Sequence, residues 1–114
     1  MNVKIQEVVD NYNGQVAFVS ACYEKNKEVF DLQTLPNLCG LSLEGLYAHA
    51  IAKMMRIVFN AETTETVNEV YEALLEFVPP YESETMKDLN TTAVSAVLEI
   101  YLARSKGSFG ELVR

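Results

Sequence analysis

Apolar side chains in this chain recur every three or four residues over long stretches, and nowhere do they alternate at a period of two. Between residues 64 and 78, Val67, Val70, Tyr71, Leu74, Leu75 and Val78 fall on one side of a helical wheel, with Glu65, Glu69, Glu72 and Glu76 on the other. A helix with such a stripe must bury it against another element, and without a strand pattern that element is another helix. At 114 residues, 49% of them hydrophobic, the chain has the length and the apolar content for one core. The expected fold is all-α: a compact single-domain bundle of about five helices, with residues 1–107 forming the bundle and 108–114 a C-terminal tail.

Five Gly and three Pro provide the punctuation. Val3 to Tyr12 reads as a short helix stopped by Asn13-Gly14, a pair suited to a left-handed helix end. Gln15 to Leu32 follows, with Phe18, Val19, Cys22, Tyr23, Val29 and Phe30 on one face and Asn26 as a polar intruder. Thr34 to Leu41, containing Pro36 and Gly40, reads as a Leu-rich loop, and Ser42 as the cap of a third helix that runs to about Asn60. That helix carries Leu46, Tyr47, Ala50, Ile51, Met54, Ile57 and Val58 on its apolar side, and His49, Lys53, Arg56 and Asn60 along a polar flank. Thr63 or Thr64 caps a fourth helix that ends before Pro79-Pro80. The fifth, from about Thr85 to Ser105, has two adjacent apolar stripes and is expected near the centre of the bundle.

Composition and spacing exclude several kinds of chemistry. A net charge of −7 opposes the cationic field that nucleic acid or an anionic membrane surface requires. The best apolar run, Ala48 to Phe59, is interrupted by His49, Lys53 and Arg56 and is too short to span a bilayer. The opening Met-Asn-Val-Lys-Ile-Gln-Glu has no apolar signal-peptide centre, and Cys22 and Cys39 alone make a poor disulfide framework, so a cytoplasmic protein is expected. His49 is the sole imidazole; a dyad with Cys22 would need that thiol off an apolar face, where it reads instead as a small hydrophobe. One His and two Cys match no zinc spacing, no Glu-x-x-His pairs exist for a di-iron site, and no Gly-rich phosphate loop is present. No catalytic residue, metal ligand or cofactor is therefore assigned.

One feature stands out. Glu62, Glu65, Glu69, Glu72 and Glu76 are spaced 3, 4, 3 and 4, and no Lys or Arg lies between Arg56 and Lys87. Like charges at these spacings cost a helix a few tenths of a kcal/mol per pair. Residues 62–88 hold eight acids and one base, while the rest of the chain is neutral, so the acidity belongs to one segment. The ridge reads either as a solvated face, partly neutralised by Lys53 and Arg56, or as a docking surface for a basic protein.

Several local patterns also resemble a known family. Phe18 followed by Ala21-Cys22-Tyr23-Glu24-Lys25, the helix opening at Leu46-Tyr47, the helix end at Phe77-Val78-Pro79 and the run from Ala93 to Leu98 are similar to the bacterial domain of unknown function family 416, over roughly residues 3–107. This chain has Lys27-Glu28 where that family usually has Pro, and family members continue into further C-terminal helices. The resemblance implies a helical bacterial cytoplasmic protein and brings no catalytic residues with it.

The functional expectation is a non-enzymatic interaction protein, of the immunity or antitoxin kind, that covers a basic protein surface with Glu62, Glu65, Glu69, Glu72 and Glu76. A self-associating homo-oligomer, using the two stripes of the last helix and the loop from Leu35 to Leu41, is the second reading. A ligand pocket among Tyr47, Tyr71, Tyr101, Met54 and Met55 is the third.

Overall fold

A computed structural model describes residues 2–26 and 34–105, with side chains for 2–25 and 43–105. The described elements are α1 (Val3–Asn26), α2 (Thr34–Phe59), α3 (Thr64–Glu76) and α4 (Glu84–Ser105). Every described element is helical, as the period-3.6 pattern requires, but the helices number four rather than five. Residues 106–107 of the expected domain and the tail 108–114, with Phe109, Leu112 and Val113, lie outside the described residues, as do Val29 and Phe30.

Two expected breaks are absent. The helix runs straight through Asn13-Gly14, so the first two expected helices are the single α1. Tyr12, just before the pair, is buried, and Val16, just after it, packs against the core. Tertiary packing on both sides outweighs the roughly 1 kcal/mol that Gly costs a helix interior. The segment from Thr34 to Leu41 belongs to α2 rather than to a loop, and Ser42 lies inside that helix instead of capping it. Pro36 is tolerated because it falls in the first turn, where backbone N–H groups have no intrahelical acceptor.

The later boundaries lie close to the expected ones, with Thr63 as one expected cap and Ser83 as a cap that the sequence reading did not name. Thr63 takes an extended backbone (φ −125°, ψ 150°), and its Oγ1 accepts the N–H of Thr66 at 3.2 Å. Ser83 caps α4: its Oγ accepts the Met86 N–H at 3.3 Å and donates to Glu44 Oε1 of α2 at 3.0 Å. At the other end of α4, Arg104 Nη1 donates to the Ala61 carbonyl at 2.8 Å, securing the α2–α3 connection. Asn90 Nδ2 donates to the Leu74 carbonyl at 3.1 Å and so satisfies the C-terminal end of α3.

The core is one cluster. α2 contributes Tyr47, Ala50, Ile51, Met54 and Val58; α3 contributes Val67, Val70, Ala73 and Leu74; α4 contributes Met86, Ala93 and Val97. α1 adds only Ile5 and Tyr12, both from its first half. The wide apolar arc of α4 does not put it at the centre, because α4 packs on α2 and α3 and makes no described contact with α1. The helix that touches all the others through the most buried side chains is α2.

Three rings knit the helices together. Tyr47 stacks on Phe77 with centroids 4.9 Å apart, and Tyr12 packs against Phe77 at 4.7 Å and against the edge of Tyr47 at 5.9 Å. The Tyr47 hydroxyl donates to the Phe77 carbonyl at 3.3 Å. The buried Tyr12 hydroxyl has no hydrogen-bond partner among the described residues, and burial, reinforced by Tyr47 beside it, pushes its pKa up to about 12.

These observations set two stability predictions. Gly14 has an ordinary helical backbone, and a Cβ added there would meet nothing within 4 Å. Gly14→Ala is therefore expected to stabilise the protein by about 0.5–1 kcal/mol in urea denaturation. For the rings, Tyr12→Phe removes an unsatisfied buried hydroxyl and is expected to hold or raise stability, whereas Tyr47→Phe loses a bond worth about 1 kcal/mol. The phenol of Tyr12 ionises at higher pH in the folded than in the unfolded chain, so its neutral form contributes stability that is intact below pH 10 and fades as pH rises towards about 12. Urea midpoints measured between pH 9 and 11 should fall less steeply in Tyr12→Phe than in the unmodified protein.

Candidate functional site

The acidic ridge is built on the outer side of α3. Burial of Val67, Val70, Ala73 and Leu74 fixes the rotation of that helix and turns Glu65, Glu72 and Glu76 to solvent. Glu65 lies in the first turn, where the positive end of the helix dipole favours it; Glu76 is the last helical residue, where the dipole opposes it. Glu62 precedes the Thr63 cap, so it is exposed on the α2–α3 connection and is not part of the helical ridge.

Glu69 differs from its neighbours. It is half-buried, and its Oε2 accepts the backbone N–H of Asn2 at 2.8 Å. Asn2 is itself the cap of α1, its Oδ1 accepting the Lys4 N–H at 2.8 Å. The Glu69 carboxylate thus sits at the start of α1, where backbone donors and dipole both favour an anion, and it ties α3 to α1. Glu72 accepts from Asn68 Nδ2, one turn back, at 3.2 Å. The described partners of the ridge are therefore amides and not cations. Lys53 and Arg56 instead line a cleft that Glu62 borders.

Next to the ridge the helix exposes apolar surface that the sequence pattern assigned to the core. Leu75 is 59% exposed and Val78 74% exposed. The reason is geometric: α3 ends at Glu76, so Val78 is off the helix, and Leu75 lies at the edge of the stripe whose centre is Leu74. Leu75 is adjacent to Glu76 and one turn from Glu72, so apolar and acidic groups share the C-terminal end of α3.

The other sequence candidates are dispersed. Cys22 lies on the exposed surface of α1, not in an apolar interior, and His49 is exposed on α2. Tyr47 and Met54 are fully buried, while Met55, Tyr71 and Tyr101 pack partly buried around the core. The Asn26 side chain lies outside those described. Among the described residues no group of three or more His, Cys, Asp or Glu is placed to hold a metal ion, and no helix is long and apolar enough to cross a membrane.

No protein-family model matches the chain, and no curated protein or solved structure is significantly similar to it. Function therefore has to be argued from the surface itself.

The geometry separates the ridge residues by their cost. Glu69→Ala is expected to destabilise the protein by about 1–2 kcal/mol, because it removes a charge-assisted bond at a helix start. Glu76→Gln and Glu72→Gln are expected to be neutral or to stabilise by a few tenths of a kcal/mol, since they relieve like-charge repulsion. Urea titrations of the three variants at low salt provide the comparison.

Proposed function

We propose that this chain is a non-enzymatic interaction protein of the cytoplasm whose α3 docks onto a basic surface of a partner protein, in the manner of an immunity protein or antitoxin. The observation that carries the reading is the exposure of Leu75 and Val78 beside Glu72 and Glu76. A solvated acidic face needs no apolar side chains within it. A docking surface needs both, the carboxylates to steer encounter and the apolar groups to exclude water at contact. Glu65 extends the same face, and Glu62 lies at its margin. Glu69 supports it structurally, because its carboxylate is already committed to Asn2.

A second reading, a homo-oligomer, has its own observation. Beyond Tyr12, no described side chain of α1 is buried, and Phe18 is 70% exposed beside a shallow groove shared with Val19 and Leu46. Sedimentation of the full chain distinguishes the two: a concentration-dependent dimer supports self-association, and a monomer supports a different partner.

For the leading reading, the test is affinity capture with the full chain, its binders identified by mass spectrometry. Proteins retained at about 50 mM salt should be lost from Glu72→Lys/Glu76→Lys and released by about 0.3 M salt, where the screening length is near 5–6 Å. Leu75→Ala/Val78→Ala should weaken retention while leaving its salt dependence intact. An unchanged set of binders after charge reversal would make the ridge a solvated face only.

A further inference from the structure

We propose that the cleft between the start of α1, the end of α2 and the start of α3 binds a small organic oxyanion, a carboxylate or phosphate ester carried on an apolar body. The cleft is open to solvent and offers about 880 Å³, within the range that small ligands occupy. Lys4 from α1 and Lys53 and Arg56 from α2 all line it. Three of the nine basic residues of an acidic chain are thus brought together from positions about fifty residues apart.

None of the three has its side-chain nitrogens in an ion pair or hydrogen bond with a described residue. Glu7 and Glu62 line the same cleft, yet neither is paired with these cations among the described residues. The carboxylates reduce the excess positive charge to a single unit, which suits a small mono- or dianion better than a polyanion. Val3, Val8, Ile57 and Ala61 line the same open cleft among polar neighbours, and they supply the apolar surface on which the body of such a ligand would rest. Arg56 can present two parallel donors to one oxyanion, the geometry that carboxylates and phosphates share. The polar flank of α2 recognised in the sequence as His49, Lys53, Arg56 and Asn60 thereby has a use: its last three members face this cleft. The inference is independent of the docking ridge, because Glu65, Glu72 and Glu76 do not line the cleft.

The experiment is a two-dimensional amide NMR titration of the full chain with sodium hexanoate and, separately, sodium phosphate, at constant ionic strength against sodium chloride. The expected result is saturable shifts concentrated at residues 2–8 and 56–66, stronger with hexanoate if the natural ligand is a carboxylate and stronger with phosphate if it is a phosphate ester. Lys53→Ala/Arg56→Ala should raise Kd at least tenfold, Arg56→Lys should raise it less, and Lys87→Ala, on α4, should leave it unchanged. Each variant is compared at unchanged helical circular dichroism, which the surface positions of Lys53 and Arg56 favour. Non-saturating shifts that sodium chloride reproduces, or an unchanged Kd in the double variant, would overturn the proposal.

Discussion

The packing of Tyr47 on Phe77 is the contact on which the rest of the structure depends. Phe77 is the C-cap of α3, and Tyr47 lies midway along α2, so this one stack fixes where the short third helix ends against the long second one. Tyr12 closes the cluster from α1, beyond which no described side chain of that helix is fully buried, although Val16 packs against the core. Aromatic pairs at these separations contribute about 0.5–1.5 kcal/mol each beyond the area they bury. With the ring of Phe77 held inside, the chain leaves α3 with Val78 outside, and Pro79-Pro80 prevents the helix from resuming before Ser83 caps α4. The exposed apolar end of α3 is thus a consequence of the buried aromatic joint.

The same joint separates stabilising from non-stabilising carboxylates. Rotation of α3 about its buried valines places Glu69 against the start of α1, where it bonds a backbone donor, and leaves Glu65, Glu72 and Glu76 on the outside. Glu76 at the C-terminal end is opposed by the helix dipole and by its neighbours, and the fold gains nothing from its charge. These charges lie beside exposed Leu75 and Val78, the juxtaposition on which the proposed docking surface rests. The cleft at the opposite end of α3 differs in character: Lys4, Lys53 and Arg56 line it and have no carboxylate partner among the described residues. The two ends of α3 therefore differ in the charged groups they present.

Much of the fold was legible because helix periodicity and caps are local. The buried set of α2, the Thr63 cap and the stop before Pro79-Pro80 all follow from residues within one or two turns of each other. Asn13-Gly14 misled because its helix-stopping tendency is worth only about 1 kcal/mol, and burial of Tyr12 and packing of Val16 on either side override it. Pro36 misled because a proline in a first turn and a proline in a loop look alike without knowledge of where the helix begins. The five-Glu spacing places Glu65, Glu69, Glu72 and Glu76 on α3, but it could not show that Glu62 lies off the helix or that Glu69 is engaged by Asn2. That bond spans 67 positions in sequence, as the convergence of Lys4 on Lys53 and Arg56 spans about fifty, and neither leaves a local signal.

Repulsion along the outward carboxylates of α3 is carried by the fold at a cost, and none of them has a cationic partner among the described residues. The salt dependence of stability in the unmodified chain tests it with one variable. Raising sodium chloride from about 10 mM to 0.3 M shortens the screening length from about 30 Å to 5–6 Å and weakens repulsion along the ridge. The urea midpoint is expected to rise over that range and level off. A midpoint that falls with added salt would show that the ridge is held by favourable ion pairs, and would contradict it.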